Sequence, residues 1–237
     1  MAELKPVGPW ELVALFAVPT ALNAVACWVA IPALDATGAL PIEVTYFLSV
    51  GLLVLVPMFF LALHMAADES ASRRVGPVLA RLRVRPLRGE DWAWTVLTFL
   101  ALALTSFLIA RVFMPAWGMD ATPFFFRNMP LDADHRWILA AWPAFFFFNV
   151  FGEEFLWRGY IQPRQELLTG SWTWLVHGLL WAAWHLPMGL DLIVAATPIF
   201  FILPGVVQIR KNTSIALVVH AAFGAFGFLA LALGAVH

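Results

Sequence analysis

Long apolar runs leave this chain little surface for water to wet. Seven of them approach the roughly 20 residues a helix needs to cross a bilayer. They lie at about 10–33, 42–64, 92–114, 137–157, 172–189, 191–209 and 213–235. Of 237 residues, 62% are hydrophobic and only 12% charged, where a soluble domain carries about 45–50% and 25%. The expected fold is all-α, a polytopic transmembrane helical bundle of about seven spans, with six to eight as the limits. Residues 1–237 read as a single integral membrane domain, with no visible internal repeat and no Gly-rich phosphate loop. Pro187, Gly189 and Asp191 interrupt the fifth and sixth spans, and Pro198 and Pro204 follow. Discontinuous or re-entrant helices are expected there, with their backbone lining a protein cavity.

Charge sets the orientation. Arg73, Arg74, Arg81, Arg83, Arg85 and Arg88 crowd the connection between the second and third spans, and basic loops stay in the cytoplasm. The amino terminus, Arg158, Arg164, Arg210 and Lys211 then share that side. The 115–136 loop and, after seven crossings, the carboxyl terminus lie outside. Val78 to Arg85 alternates apolar and basic residues, which fits a solvated loop or an interfacial segment on anionic lipid. The chain is expected to be integral to a membrane, the plasma (inner) membrane if the source is bacterial, with lipid as one partner. A net charge of −1 gives no footprint for nucleic acid. A single cysteine, Cys27, excludes an intramolecular disulfide framework and a multi-Cys zinc site. Ala24-Val25-Ala26-Cys27 has a faint lipoprotein-like form, but the apolar run continues past it. Cys27 is expected in the core, and the first run is too long for a secretory signal.

Against this background the stretch from Asn149 to Gly159 stands out. Glu153, Glu154 and Arg158 fall within one six-residue stretch, and Phe145-Phe146-Phe147-Phe148 stands before them. At the centre of a membrane helix an Asp, Lys or Arg costs about 2.5–3.5 kcal/mol, so a chain that keeps three such groups uses them. On a helix Glu154 and Arg158 lie one turn apart, with the acid nearer the amino end, the favourable order for an ion pair. Glu153 points about 100° away. It is expected to face a cavity, with Asn149 one turn before it and within hydrogen-bonding reach. A structural ion-pair network is the alternative. Two further polar positions interrupt later spans. His185 follows Trp181 by one turn, so the indole can pack beside the imidazole. His220 stands alone in the last span, and His177 reads as an interfacial or packing residue.

Glu153-Glu154-x-x-x-Arg158, Trp181-x-x-x-His185 and His220-x-x-x-Gly224, in that order, resemble the CPBP family of intramembrane proteases. That family, also called ABI, includes the type II CAAX prenyl endopeptidases and bacteriocin-processing or immunity-associated proteins. The resemblance covers about 145–225 and implies a water activated by Glu153 and His185. It implies support from Glu154 and Arg158, and oxyanion stabilisation by His220. The family's third motif ends in Asn or Asp, and here that position is Gly224. Losing one oxyanion donor costs about 10²–10³ in rate. Either another donor serves, with Asn149 and Asn212 as candidates, or the protein is slow or inactive.

The residues suit peptide hydrolysis in their own right, since it needs a base for water and a donor for the oxyanion. Glu153, His185 and His220 are also sufficient in type to ligate zinc, although the sequence lacks H-E-x-x-H. A metal-free water is the favoured reading and zinc the alternative. The expected activity is endopeptidase cleavage of a membrane-associated or lipidated peptide or protein near the cytoplasmic face. Two other classes stay open: a non-catalytic binding or immunity-type protein that keeps the fold, and a proton-coupled transporter using Glu153 and His185 as a relay.

Overall fold

The computed structural model describes residues 4–120 and 122–235, so Ala121 of the predicted outside loop lies outside the described residues. The described chain is helical, and no strand occurs in it. Helix α1 runs Pro9–Asp35 and α2 Ile42–Ser70. The short α3 is Val75–Arg81, and α4 is Glu90–Ala116. Helix α5 is an unbroken rod over 138–169, and α6 is Thr173–Trp184. Helices α7, Leu190–Arg210, and α8, Thr213–Ala232, complete the bundle. Five of these, α1, α2, α4, α7 and α8, are long and apolar enough to cross a membrane.

Proline shapes the long helices. Pro32, Pro57, Pro115 and Pro163 each lie just after a wide π-turn, at Ala26–Ala30, Gly51–Leu55, Ile109–Phe113 and Glu154–Ile161. A proline ring clashes with the carbonyl four residues earlier and brings no N–H. Widening that turn moves the carbonyl aside without breaking the helix. Pro198 and Pro204 are absorbed inside α7, which stays continuous. The expected interruption of the sixth span is therefore absent. The fifth span is interrupted at Pro187 and Gly189, as expected: the predicted 172–189 helix is only Thr173–Trp184 followed by a tight turn at Leu186–Met188. Twelve residues rise about 18 Å, short of a hydrocarbon core of about 30 Å. His185 thus caps a half-length helix inside the bundle.

The outer faces are greasy. Leu97, Leu100, Leu104 and Phe107 on α4, with Phe60 and Phe226, are all more than half exposed. Such a surface suits lipid and not water. Exposed tryptophans mark both rims: Trp10, Trp92 and Trp172 at one end, Trp117 and Trp137 at the other. Trp92 and Trp117 lie about 37 Å apart along α4, the span expected between two interfacial aromatic belts.

Polar groups sort to the same two ends. At the basic end Arg83 and Lys211 both meet Glu166, at 3.1 and 2.7 Å. Arg210 meets Glu90 and Asp91, and Arg164 pairs with Glu69. The arginine-rich connection is therefore partly packed on the bundle, while residues 73–77 are exposed. Its Val78 and Leu82 are buried, and Leu82 packs on Gly159. At the distal end Arg127 pairs with Asp35 at 2.8 Å. There the backbone N–H of Asn128 donates to Glu43, and Leu131 N–H donates to the Ala232 carbonyl.

Close approach explains two glycines. A Cβ at Gly178 on α6 would lie 2.5 Å from the Phe200 carbonyl oxygen on α7, and one at Gly152 on α5 would lie 2.6 Å from that of Leu55 on α2. Because backbone blocks both positions, Gly178→Ala is expected to lower stability by about 1–3 kcal/mol. Thermal unfolding of the detergent-solubilised protein would show it; an unchanged midpoint would mean that α6 and α7 are not held this closely.

Candidate active site

Helix α5 carries the paired carboxylates at the start of its π-turn. Glu153 and Glu154 are both buried, and they turn to different partners, as the 100° offset predicts. Glu153 is held on both oxygens. The Asn149 amide donates to Oε1 at 2.7 Å, and the Trp181 indole N–H donates to Oε2 at 2.8 Å. Glu154 meets His220 Nδ1 at 2.7 Å and Arg158 at 3.4 Å. Arg158 is fully buried, and its guanidinium lies over the Trp181 ring, 3.3 Å from the centroid. A buried carboxylate needs its lone pairs met; both Glu153 oxygens and Glu154 Oε1 are, while Glu154 Oε2 has no hydrogen-bond partner among the described residues.

Trp181 links the parts. One edge binds Glu153, one face receives Arg158, and its ring lies 5.7 Å from His185 and 6.3 Å from His220. The sequence marked it only as a packing neighbour of His185. The signal for more was its indole N–H, which needs an acceptor once buried. His185 Nδ1 lies 2.9 Å from the Trp181 carbonyl oxygen. A carbonyl accepts only, so Nδ1 carries a proton and Nε2 is the ring nitrogen left without a protein partner.

Glu153, His185 and His220 line one cavity of about 410 Å³, together with Asn149 and Gly224. The other walls are largely aromatic, with Tyr46, Phe125, Phe146, Phe200 and Phe228 among them. The expected convergence of three distant helices is what the structure places here. Asn212 is elsewhere: it caps α8 at the basic end, where its side chain accepts from Ser214 N–H and reaches Asp91. It does not border the cavity, so of the two candidate oxyanion donors only Asn149 does. His177 is a core residue rather than an interfacial one, fully buried with Nδ1 2.8 Å from Gln165 and its ring edge-on to Phe16. Cys27 is buried, as expected.

Gly224 faces the cavity, and a Cβ there would lie 3.1 Å from the Phe146 ring and 3.9 Å from His220. Phe146 thus fills the room a larger side chain at 224 would need. Among the described residues no group of three or more His, Cys, Asp or Glu side chains is arranged to hold a metal ion. Glu153 spends both oxygens on Asn149 and Trp181, and His220 spends Nδ1 on Glu154.

The open end of this cavity differs from expectation. Pro123, Met188, Leu192 and Leu231 line both it and a second hollow of about 820 Å³ at the distal end, bordered by Asp120, Asp191 and Arg127. No residue of the 73–91 connection lines either space. The cavity therefore runs away from the basic end, where approach was expected.

Residues 135–226 match a family described as Type II CAAX prenyl endopeptidase Rce1-like. The matched stretch contains Glu153, Glu154, Arg158, His185, His220 and Gly224, and it supports the resemblance drawn from the motifs to the CAAX protease and CPBP family. No curated protein and no solved structure matched the chain.

Proposed function

With a CAAX-type intramembrane protease as the general class, we propose that this chain is an endopeptidase. It hydrolyses a peptide bond of a membrane-associated substrate with a water activated by Glu153 and His185. The observation that carries this reading is the shared cavity: Glu153, His185 and His220 all border the same space. Glu153, fixed by Asn149 and Trp181, takes the proton from water as the oxygen attacks the scissile carbonyl. His185 Nε2 aligns that water and relays the proton to the leaving amine. His220, paired through Nδ1 with Glu154, presents Nε2–H to the oxyanion when it is an imidazolium, and the Asn149 amide supplies a second donor. Arg158 lies 3.4 Å from Glu154, which contacts His220, and acts through it as a positioning residue.

Metal-free chemistry is the reading taken, because both Glu153 oxygens already accept hydrogen bonds, from Asn149 and Trp181, that zinc at this carboxylate would disturb. Purified protein incubated with candidate membrane peptides, with products read by mass spectrometry, is expected to give discrete cleavage without stoichiometric zinc. Cleavage that disappears with a chelator and returns with zinc would overturn the metal-free reading. A wild type that cleaves nothing while its cellular phenotype persists would favour the non-catalytic binding protein.

The missing third-motif amide offers a sharper test. Gly224→Asn alone must push the Phe146 ring by a few tenths of an ångström. The pair Gly224→Asn with Phe146→Ala removes that obstacle. If the site lacks an oxyanion donor, the pair should cleave faster than Phe146→Ala alone, by up to about 10²–10³-fold. Equal rates would mean that Asn149 and His220 already serve.

A further inference from the structure

We infer that the peptide reaches Glu153 from the membrane face opposite the arginine-rich connection, as an extended apolar segment presented on that distal side. This rests on the peptidase reading for its substrate, but the route itself is read from packing.

Toward the basic end the site is sealed. Below Glu154 and His220 lie Leu82, Gln162, Val207, Thr213, Ile215 and Ala216, all without exposed surface. Hydrogen bonds tie this layer together across helices. The Gln162 amide donates to the Pro204 carbonyl, joining α5 to α7. The Thr213 hydroxyl donates to the Leu82 carbonyl, joining α8 to the segment after α3. No cavity wall is formed by this layer, whereas the reaction needs a route for the one water consumed per bond cut.

Toward the distal end the opposite holds. Helix α4 packs Thr95, Thr98 and Leu102 into the bundle along its basic half, yet from Ile109 to Phe113 it buries nothing. There Ser106 and Ala110 wall the cavity instead. The roof is the segment around Phe125 and Phe126, with Phe125 stacked 3.8 Å from Tyr46 and Arg127 and Asn128 tied to Asp35 and Glu43. Beside this roof the cavity continues through Pro123, Met188, Leu192 and Leu231 into the distal hollow. A space of about 410 Å³ is within the range of small-ligand clefts. It admits a few side chains of an extended segment and no folded domain. Its aromatic walls select apolar residues, while Asp120, Asp191 and Arg127 at the mouth meet the polar chain beyond them.

The single cysteine makes the route measurable. In full-length protein carrying Cys27→Ala, Ala196→Cys on α7 and Gly227→Cys on α8 place thiols on two walls of the cavity. Ala216→Cys places one in the sealed layer. Exposed reference thiols come from Ala36→Cys at the distal end and Arg73→Cys at the basic end. A charged, membrane-impermeant thiol reagent is applied to sealed vesicles of each orientation. Both cavity thiols should react only from the side that labels Ala36→Cys, and Ala216→Cys should react from neither. Reaction of the cavity thiols from the Arg73→Cys side, from both sides or from neither overturns the route, as does labelling of Ala216→Cys. Labelling needs no turnover, so a failed route leaves the peptidase reading standing, and a protein without peptidase activity can still show the route.

Discussion

Glu153→Gln is expected to cut turnover by about 10²–10⁴-fold, the usual contribution of a positioned general base, while the fold persists. The argument for a separable effect is geometric. Glu153 accepts from Asn149 on one oxygen and from Trp181 on the other. A glutamine keeps one acceptor and turns its NH2 toward a donor at the other position. That mismatch costs stability of about 1–3 kcal/mol, a loss thermal unfolding detects without abolishing the native state. The proton acceptor, by contrast, is gone. Product analysis by mass spectrometry on a defined membrane peptide, run beside unfolding, reads the two effects apart. A purely structural network predicts the stability loss with unchanged cleavage in the surviving folded protein, and that result would remove Glu153 from the base role. Asn149→Ala should lie between: the carboxylate remains but loses its orienting amide and a candidate oxyanion donor, so kcat falls more than KM rises.

The sequence made the class of fold legible because lipid imposes a simple rule: backbone polar groups must be satisfied inside the segment. Apolar runs of helical length therefore had one interpretation. Helix spacing also placed the polar side chains well. The four-residue steps from Asn149 to Glu153 and from Glu154 to Arg158 become a 2.7 Å hydrogen bond and a 3.4 Å ion pair. Spacing could not supply contacts between helices. Nothing local announced that the indole of Trp181 would reach Glu153, or that His220 would take Glu154 rather than Glu153 as its partner. Proline misled in a specific way. Pro198 and Pro204 looked like breakers but sit inside a continuous helix, whereas Pro187 and Gly189 marked a real break, the turn at Leu186–Met188 that sets His185 at a helix end. The anchoring of the arginine-rich connection was not legible because the acids that meet Arg81 and Arg83, Glu69 and Glu166, come from other helices. The side from which the cavity opens was out of reach for the same reason, since it depends on how Leu82, Gln162 and Ala216 close against one another.

Arg158→Met should be the most destabilising single change in the site, by about 3–5 kcal/mol. The guanidinium is fully buried, lies 3.4 Å from Glu154 and covers the Trp181 ring at 3.3 Å. Methionine fills part of the volume and leaves the Glu154 carboxylate with His220 as its remaining ionic partner. In a bundle surrounded by lipid no water can move in to replace the lost charge. The stacking on Trp181 adds about 0.5–2 kcal/mol to what is lost. Arg158→Lys restores charge without the planar ring contact and should recover only part of the stability. The decisive comparison is the pair Glu154→Gln with Arg158→Met. Removing both members of a buried ion pair is often close to neutral, whereas removing one strands the other. The pair should therefore be more stable than Arg158→Met alone, a positive coupling that a double-mutant cycle measures by thermal unfolding. It should still cleave slowly, because His220 has lost the carboxylate that orients its ring through Nδ1. If the pair cleaves at the wild-type rate, Glu154 and Arg158 only hold helices together, and the catalytic unit shrinks to Glu153, His185 and His220.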